Sequence, residues 1–145
     1  MNVVVRHVGF DALTSREAYA LWRLRQDVFV VEQHSPYPDL DGRDLAADTT
    51  HVLLEVDGTL AGCARVLTEP GRFRVGRVTL SAQVRGGGHG RALVAAALAA
   101  CGDAPVVLDA QTYLVDFYSS FGFVVDGEEF DEDGVLHVPM VRAAG

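Results

Sequence analysis

Residues Arg85–Arg91 read Arg-Gly-Gly-Gly-His-Gly-Arg, and they join a strand-like apolar run, Phe73–Ser81, to a helix-like alanine-rich run from about Gly90 to Ala100. Four glycines among residues 85–90 strip side chains from a stretch of backbone. Bare backbone just ahead of a helix N-terminus offers N–H groups and the positive end of the helix dipole, which suits a phosphate or pyrophosphate. The segment therefore predicts a strand–loop–helix unit that holds a phosphorylated ligand at its turn. It is not a Walker loop, because no Lys-Ser/Thr pair follows the last glycine. It is also a poor dinucleotide fingerprint, since several hairpin strands precede it. A glycine cluster alone also suits a plain flexible connector.

The surrounding pattern reads β-α-β-β-β-α-β-α-β-β. Val3–Val8 is a first strand. Thr14 and Glu17 have capping-box spacing and open a helix near Ser15 that ends around Val31. Along it Ala18, Leu21, Trp22, Val28 and Phe29 recur at helical spacing, and Arg25 interrupts the apolar stripe. A charge there demands a buried or cleft-side partner, for which a carboxylate of the following acidic loop is the candidate. That loop, Glu32–Thr49, is rich in Pro, Asp and Gly and long for an uncommitted connection. His51–Val56 and Leu60–Leu67 form a hairpin around Asp57-Gly58. In Phe73–Ser81 the apolar alternation slips at Gly76-Arg77, which predicts a bulge. Pro105–Leu108 is a short strand, Thr112 caps a helix running to Phe121, and Gly122 is its C-cap. Phe123–Phe130 and Val135–Val141 are the last two strands.

With 145 residues and about half of them apolar, the chain suits one domain with a sizeable core, residues 1–145. A net charge of −8 argues against nucleic acid, whose phosphates need a basic face. Cys63 and Cys101 each lie in an apolar run and read as buried thiols in a reducing compartment. Five histidines and two cysteines show no metal-ligand spacing. The N-terminus lacks signal-peptide features, and Ala92–Ala100 is too short to span a bilayer. A cytoplasmic protein with no membrane partner is the expectation.

Arg85-x-x-Gly88-x-Gly90, preceded by Arg77-Val78-Thr79-Leu80-Ser81 and followed by a helix, resembles the Arg/Gln-x-x-Gly-x-Gly/Ala motif of the GCN5-related N-acetyltransferases (GNAT). Phe117-Tyr118-Ser119-Ser120-Phe121-Gly122-Phe123 is similar to that family's Tyr-x-x-x-Gly-Phe element. Leu24-Arg25, Val28–Gln33, Pro36-Tyr37, Asp41-Gly42-x-Asp44, Ala110-Gln111 and Asp131–Gly134-x-x-His137-Val138-x-Met140 resemble its ElaA-like subgroup. The resemblance implies a GNAT fold of α/β (α+β) class: a mixed, mostly antiparallel, splayed sheet of about seven strands with helices on both faces. It also implies acetyl-CoA as donor and an amine of a small molecule or peptide as acceptor, with direct transfer and no covalent enzyme intermediate.

By the resemblance, Arg85, Gly86, Gly87, Gly88, His89, Gly90 and Arg91 hold the coenzyme A pyrophosphate, and Val78, Thr79 and Leu80 hold the pantetheine arm. Gln111 and Phe117 complete that wall, although many members have asparagine near Gln111 and this chain has none after Asn2. Tyr118 is the candidate proton donor to the departing thiolate. A backbone N–H near Thr79 or Leu80 is expected to polarise the carbonyl. Glu32 and His137, with His51, are candidates for the base, a role that a water chain also suits. Arg25, Glu32, Gln33, Tyr37, Asp41 and His51 are candidates for the acceptor side, where loop carboxylates would attract an ammonium group. For Asp39 and Asp44 a solvated acidic loop is an equal alternative, and Asp126–Asp133 reads mostly as a solvent face. The main rival is a non-catalytic coenzyme A-binding or sensor module on the same fold. Exposed strand edges near the C-terminus suit a homodimer.

Overall fold

The computed structural model describes residues 1–145. Eight strands form one sheet: β1 (Val3–Val8), β2 (Thr50–Val56), β3 (Thr59–Glu69), β4 (Arg72–Leu80), β5 (Val106–Gln111), β6 (Val124–Val125), β7 (Phe130–Glu132) and β8 (Val135–Arg142). Their spatial order is β1-β2-β3-β4-β5-β8-β6, with β7 also paired to β8. Every pairing is antiparallel except β4 with β5. The three α-helices are α1 (Ser15–Arg25), α2 (His89–Ala99) and α3 (Val115–Ser119).

Two cores lie on opposite faces of this sheet, as the alternation of β2 and β3 requires. On one face Leu53 and Cys63 pack against Leu21, Leu24 and Val28 of the first helical segment. On the other, Val52, Leu54, Ala64 and Val66 pack against Leu93, Val94, Ala97 and Leu98 of α2. α1 opens with the expected capping box: Thr14 Oγ1 accepts from the Glu17 N–H, and Glu17 accepts from the Thr14 N–H. The helix does not run unbroken to Val31. From Gln26 to Glu32 it widens into a π-helical segment, with Gln33 N–H donating to Val28 O and Ser35 N–H to Val30 O. Val28, Val30 and Val31 are poor α-helix formers, and this wider turn delivers Glu32 to the sheet's open edge.

The Asp57-Gly58 turn has φ of 52° and 83°, the left-handed pair that a two-residue hairpin needs. The bulge in β4 lies where it is expected, since Cys63 faces Thr79 but Arg65 faces Gly76. The left-handed residue there is Arg77, at φ 51°, and not the neighbouring glycine. Gly62 matters for a different reason, because a Cβ at this position would lie 2.8 Å from Leu80 Cδ2 and 3.2 Å from the Thr79 carbonyl. Its bare backbone lets β3 approach the end of β4 closely.

Two expectations near the C-terminus fail. Thr112 caps no helix: residues Thr112–Leu114 form a 3-10 turn, and α3 starts at Val115 without a side-chain cap. The single strand expected over Phe123–Phe130 is split into β6 and β7, because the chain crosses Pro139 at Gly127, where a Cβ would lie 2.6 Å from the proline ring. Gly122, at φ 93°, does end α3 as expected.

Candidate active site

β4 and β5 pair only at Phe73–Val106 and Arg74–Val107. Beyond that point they diverge, β4 toward Leu80 and β5 toward Gln111, and a cleft of about 1010 Å³ opens between them. Val78, Thr79, Leu80, Arg85, Gly90, Gln111, Phe117 and Tyr118 line it, and so do Glu32, Gln33, Tyr37, Asp41 and His137. Residues more than a hundred positions apart in the chain therefore meet in one space.

The glycine loop curls over the N-terminus of α2. Gly86 and Gly88 have φ of 86° and 81°, conformations that favour glycine, and a Cβ on either would meet nothing within 4 Å. The backbone N–H groups of residues 85–91 donate to no acceptor in the chain. Unmatched donors at a helix N-terminus, with open space before them, form a cradle that fits a pyrophosphate. Gly90 lies against Phe117, and Arg91 leans away over the Phe121 ring and donates to Ser120 Oγ. The Arg85 side chain faces away from the cradle: it grips Glu32 through two hydrogen bonds of 2.8 and 3.0 Å and also donates to the Leu80 carbonyl.

Just past β4, the Ser81 N–H donates to Ala61 O of β3. Successive backbone groups of a strand point to opposite edges, so the Thr79 N–H faces β3 and the Leu80 N–H faces the open cleft. Of the two N–H groups expected to polarise a carbonyl, only that of Leu80 is open to the cleft. Thr79 contributes a buried Oγ1 without a partner to the same wall.

Tyr118 is held by the end of α3. Phe123 N–H donates to Tyr118 O and Gly122 N–H to Ser119 O, the paired bonds of a Schellman motif. The Phe123 ring closes the motif against the Tyr118 ring, 6.1 Å away, while Phe117 meets Tyr118 edge-on at 5.1 Å. The Tyr118 hydroxyl has no hydrogen-bond partner in the protein and lies on the cleft wall. Burial pushes its pKa up to about 12, so the phenol keeps its proton.

His137 lies opposite Gln111 in the β5–β8 register, and its ring stacks on Phe130. Its Nδ1 lies 2.8 Å from Val135 O. A carbonyl only accepts, so Nδ1 carries the hydrogen and Nε2 holds the free lone pair. The nearest charged group to Nε2 is Glu132, at 3.9 Å.

Arg25 and His51 are not on the cleft wall; each is 1% exposed. Arg25 donates to Asp39 Oδ2 and to both oxygens of Asp44, the loop carboxylates from which its partner was expected. Asp39 and Asp44 are accordingly buried and not solvated. Arg65 grips Asp41 with two bonds of 2.9 Å and also reaches Asp44. Arg77 Nε lies 2.8 Å from Asp39 Oδ1 without hydrogen-bond alignment, an ionic contact, and the guanidinium sits over the Tyr37 ring. His51 Nε2 meets the Asp44 carbonyl at 3.1 Å, and burial holds its pKa below the ordinary imidazole value. Burial would raise the Asp41 pKa, but hydrogen bonds from Arg65 and from the Arg43 N–H outweigh it and hold the group at about 2. This network is a platform beneath the cleft, not a set of free ligands. Sequence reasoning missed Arg65 and Arg77, whose neighbours in sequence are strand residues. It also missed Glu132 and Asp133 as cleft residues, although Asp131–Gly134 and His137 formed a shared motif.

The description "Acetyltransferase (GNAT) domain" fits residues 11–144 of the chain. The UPF0039 protein Rv2851c of Mycobacterium tuberculosis is 47% identical over 98% of this chain and 94% of that protein. The crystal structure of Escherichia coli ElaA superposes with a TM-score of 0.92 at 38% identity, covering 97% of this chain and 99% of that one. An acyl-CoA N-acyltransferase from Pseudomonas aeruginosa superposes with a TM-score of 0.93 at 40% identity, covering 98% and 100%.

Proposed function

The chain belongs to the GNAT acetyltransferase family, and from that premise we propose that it is an N-acetyltransferase that moves an acetyl group from acetyl-CoA to an amine within the β4–β5 cleft. The observation that carries the reading is the juxtaposition of the unmatched N–H cradle of residues 85–91 with the free Tyr118 hydroxyl and His137 Nε2 along one cleft. When bound, acetyl-CoA supplies an activated acetyl thioester. The N–H groups of Gly86–Arg91 would hold its pyrophosphate against the α2 dipole. The open edge of β4 would hold the arm, and the Leu80 N–H, free on the cleft side, would donate to the carbonyl oxygen as negative charge develops there. His137 Nε2 takes a proton from the acceptor nitrogen, and Tyr118 Oη delivers one to the departing sulfur. Glu32, fixed by Arg85, lies on the acceptor side as a positioning carboxylate and is less suited to be the base, since both its oxygens are engaged. Positioning of two reactants in one cleft carries much of the rate.

Calorimetry with acetyl-CoA tests the donor half. Gly88→Ala and Gly88→Glu share the strain of a side chain at φ 81°, but only the glutamate puts a negative charge at the cradle. Gly88→Glu is expected to lose acetyl-CoA binding while Gly88→Ala retains most of it. Equal affinities in the two variants would remove the cradle from the donor site.

A further inference from the structure

We propose that the acceptor is a small amine that carries a second positive charge and no carboxylate, such as an aliphatic diamine; this rests on the acetyl-transfer reading above. The argument is a charge inventory of the cleft. Each arginine on its wall is already matched to a carboxylate: Arg43 to Glu69, Arg65 to Asp41 and Asp44, Arg74 to Glu69 and Asp109, Arg77 to Asp39 and Asp41, and Arg85 to Glu32. A carboxylate on the acceptor would find no uncommitted guanidinium and would have to displace an existing ion pair.

The opposite holds for anions. Glu132 and Asp133 lie on the same wall, and neither carboxylate meets an arginine. Glu132 lies 3.9 Å from His137 Nε2, so an ammonium held against these carboxylates leaves the other nitrogen of a short diamine within reach of the atom that takes the proton. Tyr113, 74% exposed at the cleft, adds an aromatic face of the kind that attracts cations. The site also limits acceptor bulk. Ser35 Oγ donates to the Asp133 carbonyl at 2.6 Å and ties the acidic hairpin tip to the loop after the π-helical segment. That tie links the two walls and favours a slender molecule over a protein surface. In the transfer, the neutral amine nitrogen forms the amide C–N bond as the thioester C–S bond breaks. One amine proton goes to His137 Nε2, and the thiolate receives one from Tyr118. The second ammonium stays protonated against Glu132 and Asp133.

The test is thiol release from acetyl-CoA with three amines that share a five-carbon chain: cadaverine, lysine, which adds a carboxylate to that chain, and pentylamine, which lacks the second charge. Cadaverine is expected to exceed both in kcat/KM by tenfold or more, and Glu132→Gln should draw the cadaverine-to-pentylamine ratio toward one. Rescue of that ratio by Glu132→Asp separates charge recognition from a folding defect. Lysine or pentylamine matching cadaverine would overturn the proposal, as would a cadaverine preference untouched in Glu132→Gln. Acetyl-CoA bound by calorimetry with no turnover of any of the three also overturns it while leaving the donor site standing. Failure to bind acetyl-CoA would instead sink the acetyl-transfer reading itself.

Discussion

Tyr118 and His137 illustrate how much a single side chain owes to its immediate contacts. The Tyr118 pKa, at about 12, is moved by burial away from the ordinary 10.0, and the direction matters. A phenol that keeps its proton throughout the usual assay range donates without being titrated away. Wild-type kcat, measured with the amine turned over fastest, should therefore show no alkaline loss near pH 10 that vanishes in Tyr118→Phe. Tyr118→Phe should lower kcat by about tenfold or more while acetyl-CoA affinity stays within a few fold. An unchanged kcat would take the proton-donor role from Tyr118. The tyrosine was legible in the sequence from its place before Gly122-Phe123. The orientation of His137 was not, because the Val135 carbonyl that assigns its tautomer is a backbone atom with no sequence signature.

Among the elements, the end of α3 and the loop before α2 shape the cleft wall. Gly122 at φ 93° permits the Schellman bonds that fix Tyr118. Gly122→Ala meets no close atom, its Cβ lying 3.7 Å from Arg142 Nε. Its cost is therefore backbone strain, about 1–2 kcal/mol, readable as a lower urea midpoint. Because that strain bears on the turn holding Tyr118, kcat should fall as well, with acetyl-CoA affinity preserved. Most elements were legible from periodicity and turn chemistry: the capping box at Thr14, the hairpin at Asp57-Gly58 and the bulge at Gly76-Arg77. Two elements eluded such reading. The break at Gly127 over Pro139 is set by a contact between separate strands, and the π-helical widening after Arg25 by a local run of valines whose apolar pattern still reads as helix.

For the whole molecule, the three-arginine, three-aspartate network joins α1, the acidic loop, β3 and β4 into one rigid platform. Arg25 is buried, so removing a partner leaves an unmatched charge. Asp44→Ala is expected to destabilise the protein by about 3–5 kcal/mol, read by denaturant unfolding. The network also fixes how stability depends on acid. Burial alone would raise the Asp41 and Asp44 pKa values, but the arginines lower both, Asp41 to about 2 against an ordinary 3.8. Carboxylates depressed in the fold contribute stability that is complete above their unfolded pKa and is lost as pH falls through the folded one. A steep loss of thermal stability between about pH 4 and pH 2 should follow for the wild type, and it should be shallower in Asp41→Asn. Parallel slopes in both proteins would show that Asp41 is not part of that linkage.

What the sequence by itself determined is whatever depends on neighbours along the chain. The glycine loop and the strand before it were legible as a phosphate-cradle geometry, because such a cradle is built from consecutive backbone groups and a helix start, and the Tyr118 motif was legible as a resemblance to the family. The partner class of Arg25 was also readable, since a charge on an apolar stripe must find a counterion. The charge pattern of the rest of the cleft was decided only by the tertiary structure. Burial turned Arg25 and His51 from cleft candidates into foundation, matched Asp39, Asp41 and Asp44 to arginines from other elements, and left Glu132, near His137, and Asp133 without arginine partners. The physical reason is that a charge attracts a ligand only if no other charge has neutralised it. That balance is a sum over residues remote in sequence, which no local pattern records.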